Sequence, residues 1–217
     1  MPAYRRLLVT DFDGTITERD FYELAISKVS REGGPDYWED YAAGRISHFE
    51  AMRGIYSRIR CSEEDADRLI REMDPDPQLA GGIGRLRNAG WDVVVVSAGS
   101  HWYIDPLLAE QRVTVTVHAN PGRFSVNEGL VLEPPRDSPH YCPDHGISKE
   151  SVIREALGNY ERVAFAGNGP PDLGAALLVE PELRFARGWL AAELARRGIP
   201  FVVYRRWSEI ADRLAGP

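Results

Sequence analysis

Cysteine, lysine and long apolar runs are all scarce in this 217-residue chain. The two cysteines, Cys61 and Cys142, are too few for a disulfide framework. No apolar run approaches the ~20 residues that a membrane-spanning helix needs, so we expect no membrane partner. The first residues lead directly into an apolar strand and leave no room for a signal peptide, which predicts a cytoplasmic protein. A hydrophobic fraction of 43% is too high for a disordered chain.

Positive charge is also in short supply. The formal net charge of -7 argues against nucleic acid as the main partner. Of the 26 basic residues only Lys28 and Lys149 are lysines. A lysine in a chain that otherwise uses arginine marks a position where arginine would not serve. Genome composition and heat adaptation both explain such a bias, and the sequence does not separate them. The length indicates one α/β domain with a sizeable insertion.

The most informative stretch that is present runs from Leu7 to Thr17. Leu7 to Val9 is typical of a buried parallel strand, and Asp11-Phe12-Asp13-Gly14-Thr15-Ile16-Thr17 follows it. In an open α/β sheet, ligands bind at the carboxyl ends of the strands. Alternation places Asp11 and Asp13 on one side of the backbone, where two carboxylates repel unless a cation lies between them. Mg²⁺ is the usual hard cation for such a pair. An Asp-Gly turn that merely ends the strand is the alternative.

Polar residues follow the other apolar strands in the same way. Ser97 ends the strand that begins at Trp91, and Asn168 and Asp172 follow the strand at residues 163–166. Lys149 begins a helix that Ser148 caps, just before that strand. Because the strand ends meet at one sheet edge, we expect these side chains to converge there. The alternatives are an ordinary helix cap for Ser97 and a solvated surface position for Lys149.

These four motifs, in this order, resemble those of the haloacid dehalogenase-like phosphatase superfamily. The resemblance implies a Rossmann-like parallel sheet with helices on both faces and a small helical cap after the first strand. It implies that Asp11 is the nucleophile that forms an aspartyl-phosphate and that Asp13 is the general acid and base. Lys149 would neutralise the phosphate, as a compact point charge. The implied phosphate-binding residues are Ser97, Ala98, Gly99 and Lys149.

The fourth motif departs from the family pattern. Mg²⁺ in the family is held by the first aspartate, the backbone carbonyl of the second and an acid in this motif, which here predicts Asp11, Asp13 and Asn168. An amide oxygen binds Mg²⁺ without contributing charge, so we expect either weaker metal affinity or a shifted metal preference, together with low turnover. Asp172 is predicted to orient Lys149 or metal-bound water. The alternative is an inactive paralogue that only binds phosphorylated ligands.

The chain divides by pattern into a core at 1–17 and 75–217 and a helical cap at 18–74. Ser47 and Glu50 form a capping box at the start of one cap helix. Residues 112–133 alternate and carry turn signals, which predicts a small antiparallel excursion. Residues 133–146 are predicted to form a loop, and Cys142 and His145 within it are too few for a zinc site.

The leaving group of the substrate is the least determined feature. Candidate contacts are the cap residues Asp20, Tyr22, Arg45, His48 and Arg53, together with His101 after the Ser97 turn. Three features carry a more detailed resemblance: Asp20 after the first motif, the cap between the first two motifs, and the stretch from Leu183 to Leu190. They resemble the branch of phosphoserine phosphatases and the methionine-salvage phosphatase, which acts on 2-hydroxy-3-keto-5-methylthiopentenyl-1-phosphate. The expected partner is a small-molecule phosphate ester, bound by a monomer or homodimer.

Overall fold

The computed structural model describes residues 5–31 and 33–216. Residues 1–4, 32 and 217 belong to the predicted core and cap ranges and lie outside the described residues. The first strand, β1 (Arg6–Thr10), is at the centre of a six-stranded parallel sheet. Its alternate residues Leu7 and Val9 pack on one face and Leu8 on the other. Because both faces are apolar, the strand requires helices on both sides of the sheet.

The main sheet has the strand order β10-β9-β8-β1-β2-β3. The chain moves outward from β1 in one direction and then crosses over to build the other half, so β1 and β8 flank the switch point where ligands bind in such sheets. The strands of this sheet are β1, β2 (Trp91–Ser100), β3 (Thr116–Asn120), β8 (Arg162–Gly167), β9 (Arg184–Ala186) and β10 (Val202–Val203). The remaining strands form two hairpins, β4 (Gly122–Ser125) with β5 (Gly129–Leu132) and β6 (Tyr141–Cys142) with β7 (Gly146–Ile147).

Helices cover both faces of the sheet, as the parallel strands require. Two buried apolar clusters result, one on each face, and the larger also includes side chains of the cap. The core helices are α5 (Leu79–Asn88), α6 (His101–Glu110), α7 (Lys149–Asn159), α8 (Leu173–Leu177), α9 (Gly188–Arg196) and α10 (Trp207–Ala215). No helix in residues 5–31 or 33–216 has the length and apolar character needed to cross a membrane. The predicted α/β fold class is confirmed.

A helical insertion follows β1, as the sequence predicts. Its helices are α1 (Phe21–Lys28), α2 (Tyr37–Ala42), α3 (His48–Tyr56) and α4 (Glu63–Arg71). The capping box at α3 is present: the Glu50 N–H donates to Ser47 Oγ at 3.2 Å, and the Ser47 N–H donates to Glu50 Oε2 at 2.8 Å. An isolated bridge joins Thr17 to Pro75, so the insertion leaves and rejoins the core at one place. The proposed limits of the cap, 18 and 74, stay a prediction.

Three local predictions differ from the structure. Within residues 112–133, only β4 and β5 pair antiparallel, whereas β3 joins the main sheet parallel to β2. The reason is that α6 acts as a crossover helix and returns the chain to the sheet edge in the direction of β2. The strand that begins at Trp91 continues to Ser100, past its expected end at Ser97. The predicted loop at residues 133–146 contains the short hairpin strand β6.

Candidate active site

A cavity of about 330 Å³ lies between the carboxyl ends of the strands and the cap. The core supplies its charged and small polar walls, and the cap supplies aromatic, thioether, imidazole and carboxyl side chains. The core residues are Asp11, Asp13, Ser97, Ala98, Gly99, Tyr103, Lys149, Asn168, Gly169 and Asp172. The cap residues are Asp20, Tyr22, Glu23, Trp38, His48, Met52 and Tyr56, and the remaining lining residues are Pro170, Pro171 and Trp189.

Lys149 is the centre of the charged half. Its Nζ donates to Asp11 Oδ1 at 2.6 Å and to Asp172 Oδ1 at 2.5 Å, and all three side chains are buried. Burial alone would lower the pKa of Lys149, but Asp11 and Asp172 outweigh it and raise that pKa. Burial and the nearby Asp172 raise the pKa of Asp11, while Lys149 opposes the increase. Lys149 is thus a permanently charged group fixed against the candidate nucleophile.

Asp172 holds this arrangement in place. Its Oδ2 accepts hydrogen bonds from the backbone N–H groups of Asn168 at 2.9 Å and Gly169 at 2.8 Å, while Oδ1 faces Lys149. The carboxylate is fully buried, and its hydrogen bonds join the backbone of the fourth motif to Lys149 at the start of α7. The loop after β8 and the first turn of α7 are therefore locked to each other through one side chain.

Asp13 occupies a separate hydrogen-bonded position. Its Oδ1 accepts from the Phe21 N–H at 3.1 Å, and its Oδ2 accepts from Tyr103 Oη at 2.9 Å and Ser97 Oγ at 3.2 Å. Burial raises the pKa of Asp13, although these hydrogen bonds and Lys149 oppose the increase. A carboxyl whose pKa is raised suits a group that must donate a proton.

Oxygen atoms suited to a hard cation meet beside Thr15. The Thr15 hydroxyl lies 3.0 Å from Asn168 Oδ1 and 3.4 Å from Asp11 Oδ2, so both oxygens face one point. Within the described residues, no three His, Cys, Asp or Glu side chains form a metal-binding group. A cation here would take one carboxylate and one amide oxygen from side chains and complete its shell with backbone, water or phosphate oxygens. That donor set fits Mg²⁺, which keeps several waters and uses few protein carboxylates.

Two glycines give the catalytic loop its shape. Gly14 has a φ of +64°, and a Cβ there would lie 2.7 Å from Asp20 Oδ2 and collide with the Asn168 side chain. At Gly99 a Cβ would lie 2.9 Å from Asp13 Oδ2 and collide with the Tyr103 hydroxyl. Side chains from the core and cap therefore approach the backbone at these two positions, where only glycine fits.

The structure brings most of the predicted site residues to the cavity. Asp20 lines it, and burial followed by the charges of Asp13 and Asp11 raises the pKa of Asp20 to about 8. Arg53 is exposed on α3 and does not line the cavity, and neither does His101, whose Nδ1 pairs with Asp105 at 3.0 Å.

Sequence reasoning missed several contributors. Tyr103 had no assigned contact with Asp13, and Thr15 was part of a motif without a role of its own. Arg187 donates from Nε to the Gly14 carbonyl and from Nη2 to the Thr17 carbonyl, both at 2.6 Å, and so fixes the catalytic loop from the carboxyl end of β9. Its place at the end of β9, directly after a buried strand, was the available signal.

Comparisons with known proteins identify the family of this chain. Residues 8–177 match the model of the haloacid dehalogenase-like hydrolases. A 2-hydroxy-3-keto-5-methylthiopentenyl-1-phosphate phosphatase of Brevibacillus brevis is 24% identical over 212 residues, covering 94% of this chain and 92% of that protein. One of the same name from Geobacillus kaustophilus is 25% identical over 215 residues, covering 96% of this chain and 94% of that protein.

Solved structures agree on the fold. A phosphoserine phosphatase described as a phospho-aspartyl intermediate analogue has a TM-score of 0.66 at 15% identity, covering 95% of this chain and 97% of that chain. The phosphoserine phosphatase of T. onnurineus has a TM-score of 0.64 at 17% identity, covering 100% of this chain and 98% of that chain.

Proposed function

This chain belongs to the haloacid dehalogenase-like hydrolases, and we propose that it is a Mg²⁺-dependent phosphomonoesterase that acts through an aspartyl-phosphate. The observation that carries the proposal is the buried contact of Lys149 with Asp11 and Asp172 at the carboxyl ends of β1 and β8, next to Asp13. Phosphoryl transfer needs a nucleophile, charge neutralisation and a proton donor for the leaving oxygen, and this edge of the sheet supplies all three.

The reaction divides into two displacements. An Asp11 oxygen attacks phosphorus, the bond to the leaving alkoxide breaks, and Asp13 gives that oxygen its proton. Asp13 then takes a proton from a water molecule, which attacks phosphorus and releases phosphate and the Asp11 carboxylate. Lys149 and the backbone after Ser97 hold the phosphoryl oxygens, while Asp172 keeps Lys149 aimed at Asp11. Asp11, Asn168 and the Asp13 carbonyl would hold Mg²⁺, which would supply positive charge to neutralise the phosphate.

The relatives suggest one particular substrate. Five of the full-length relatives carry the name of the phosphatase for 2-hydroxy-3-keto-5-methylthiopentenyl-1-phosphate. We propose that compound as the first to test, with O-phosphoserine as the alternative because of the structural likeness. Aromatic and thioether side chains on the cap side of the cavity favour the first, since its methylthio chain is apolar.

The test is hydrolysis of p-nitrophenyl phosphate in the presence of Mg²⁺. We expect activity in the wild type, its loss in Asp11→Asn, and no loss in the matched control Asp137→Asn, which changes an exposed carboxylate outside the cavity. Activity that survives Asp11→Asn would contradict the proposed nucleophile.

A phospho-ligand binding protein is the second candidate, and Asn168 is the observation that favours it. An amide at this position removes one negative charge from the cation site. A wild-type protein that is inert with Mg²⁺, Mn²⁺ and Co²⁺ but still binds phosphate esters would establish this alternative instead.

A further inference from the structure

The cap half of the cavity differs chemically from the phosphate half, which is formed by the polar core residues around Lys149. These are Asp11, Asp13, Ser97, Asn168 and Asp172. Among the described lining residues, Lys149 is the single lysine or arginine, and it is already paired with Asp11 and Asp172. The cap side presents the weakly polar side chains Tyr22, Trp38, Met52 and Tyr56, and its charged groups are the carboxyl side chains Asp20 and Glu23. A carboxylate on the leaving group would find no cation there, whereas an uncharged and partly apolar group would be accommodated.

His48 is the polar group in this wall whose bonding is incomplete. It is 7% exposed, and its Nδ1 is buried without a hydrogen-bond partner in the part of the chain that the structure describes. Burial is the main reason that its pKa is lowered to about 3, and the nearby His145 and Lys149 add to this. The imidazole is therefore uncharged and has one donor and one acceptor nitrogen available.

The ring of His48 is held in place by packing. Tyr41 packs edge-on against it at 5.3 Å, and His145 lies 5.4 Å away on the core side, measured between ring centroids. The backbone fixes the same region, because the Phe49 N–H donates to the Asp144 carbonyl at 2.8 Å. A loop of the core therefore pins the first turn of α3 and with it the orientation of His48.

An apolar side chain of similar size would fill this position without leaving a nitrogen unpaired, so packing alone does not account for a histidine. We propose, resting on the phosphomonoesterase function above, that His48 is a specificity-determining residue. It binds a hydroxyl or carbonyl oxygen of an uncharged, partly apolar leaving group. The substrate class is then the phosphate monoester of a neutral oxygen-bearing alcohol, and phosphorylated carboxylic acids are poor substrates.

Three phosphates of three-carbon alcohols test this with little difference in size. Glycerol 3-phosphate carries uncharged hydroxyls, n-propyl phosphate lacks them, and 3-phosphoglycerate carries a carboxylate. In the wild type we expect kcat/KM to be highest for glycerol 3-phosphate. In His48→Leu the ratio of kcat/KM for glycerol 3-phosphate to that for n-propyl phosphate should fall about tenfold, which is the loss of one hydrogen bond. His48→Gln should restore part of that ratio.

The control variant is Tyr41→Phe, which keeps the ring packed against His48 and changes no cavity-lining residue. It should leave the ratio at the wild-type value. An unchanged ratio in His48→Leu, an equal fall in Tyr41→Phe, or a wild-type preference for 3-phosphoglycerate would each overturn the inference. Wild-type hydrolysis of p-nitrophenyl phosphate separates these results from failure of the proposed function, since an enzyme inert toward every phosphate ester overturns both.

Discussion

The phosphate half and the cap half of the cavity differ in how completely their polar side chains are hydrogen-bonded. In the phosphate half, charged side chains already have partners within the protein: Lys149 contacts two carboxylates, and Asp172 accepts hydrogen bonds from Lys149 and two backbone N–H groups. In the cap half, His48 has an unpaired ring nitrogen and Asp20 does not cap the helix that follows it. The first arrangement needs little reorganisation when charge develops, whereas the second leaves polar atoms available to a ligand.

This difference indicates that the phosphate half controls turnover and the cap half controls substrate selectivity. Side chains that neighbouring parts of the core already fix set the chemistry, because their positions do not depend on the substrate. Selectivity belongs to side chains whose hydrogen bonds are still to be made. Changes in the phosphate half should therefore reduce turnover of all phosphate esters alike, and changes in the cap half should reorder them.

The largest effect is expected at Asp11. Asp11→Asn removes the nucleophile and one partner of the buried Lys149, so we expect kcat to fall at least about 10³-fold for every ester. Rates with p-nitrophenyl phosphate and glycerol 3-phosphate measure this, with circular dichroism as a check on folding. A fall for one ester and not the other would break the division between the two halves.

The second-largest effect on kcat is expected at Lys149. Lys149→Met keeps most of the length of the side chain but removes its charge, leaving Asp11 and Asp172 facing each other, and we expect about a 10²–10³-fold lower kcat. Lys149→Arg should not restore activity, because a planar guanidinium does not fit a fully enclosed point-charge position. Wild-type rates in Lys149→Arg would contradict this account.

Asp20 gives a pH test of the cap side. Its pKa is about 8 in the folded protein, against an ordinary value of 3.8. Below pH about 4 both states hold the proton; between about 4 and 8 only the folded state does, so this group's contribution to stability is lost as pH rises through that window. Asp20→Asn removes that loss. As pH rises, the unfolding free energy of the variant should therefore increase relative to that of the wild type, by at most about 1.4 kcal/mol per pH unit.

Urea unfolding at pH 5, 6, 7 and 8 in the presence of EDTA measures the Asp20 effect without a bound cation. The difference between Asp20→Asn and the wild type in the free energy of unfolding should grow from pH 5 to pH 8. Parallel stability curves for the two proteins over this range would show that Asp20 ionises at an ordinary pH.

Asn168 should have a smaller effect on metal binding. Asn168→Asp adds a carboxylate at the point shared by Thr15 and Asp11, so we expect about a tenfold lower Mg²⁺ concentration for half-maximal activity. The same charge lies near Asp11 and Asp172, and the metal-free variant should unfold more readily for that reason. An unchanged Mg²⁺ dependence would mean that this side chain does not bind the cation.

Ser47 should give the smallest change. Ser47→Ala removes the cap of α3 and should lower the unfolding free energy by about 1 kcal/mol. Because α3 carries His48 and Met52, a small rise in KM for glycerol 3-phosphate should accompany it. Ser62→Ala is the matched control, since it uncaps α4, which contributes no cavity-lining residue. Equal KM values in both variants would mean that the N-cap of α3 does not affect substrate binding.

The fold could be predicted largely because each strand carries its own signal. The run at Trp91 and the strand at residues 163–166 are apolar and end at polar residues, so their common edge follows from the parallel topology. The capping box of Ser47 and Glu50 is a local pattern and is equally readable. The antiparallel prediction at residues 112–133 failed in part, because pairing of β3 depends on where α6 returns the chain, which local alternation does not record.

The candidate site divides in the same way. Asp11, Asp13 and Ser97 follow from strand ends and Lys149 from a helix start, whereas Tyr103 reaches Asp13 from inside a helix. The cap contacts were the least predictable, since Arg53 and His48 lie on the same short helix and only one faces the cavity. Which face of a cap helix points inward is decided by packing against the core, and charge or residue type alone does not reveal it.

The bridge between Thr17 and Pro75 has a consequence for how such a protein can change. Because the intervening stretch departs and returns at one point, the rest of the chain treats it as a single closed loop. Loop-closure entropy changes by only about 0.6 kcal/mol for each doubling of length, so a longer or shorter insert is tolerated provided that it covers the same apolar surface. New substrates can therefore be acquired by exchanging that insert, provided that the backbone N–H at position 21 still donates to Asp13.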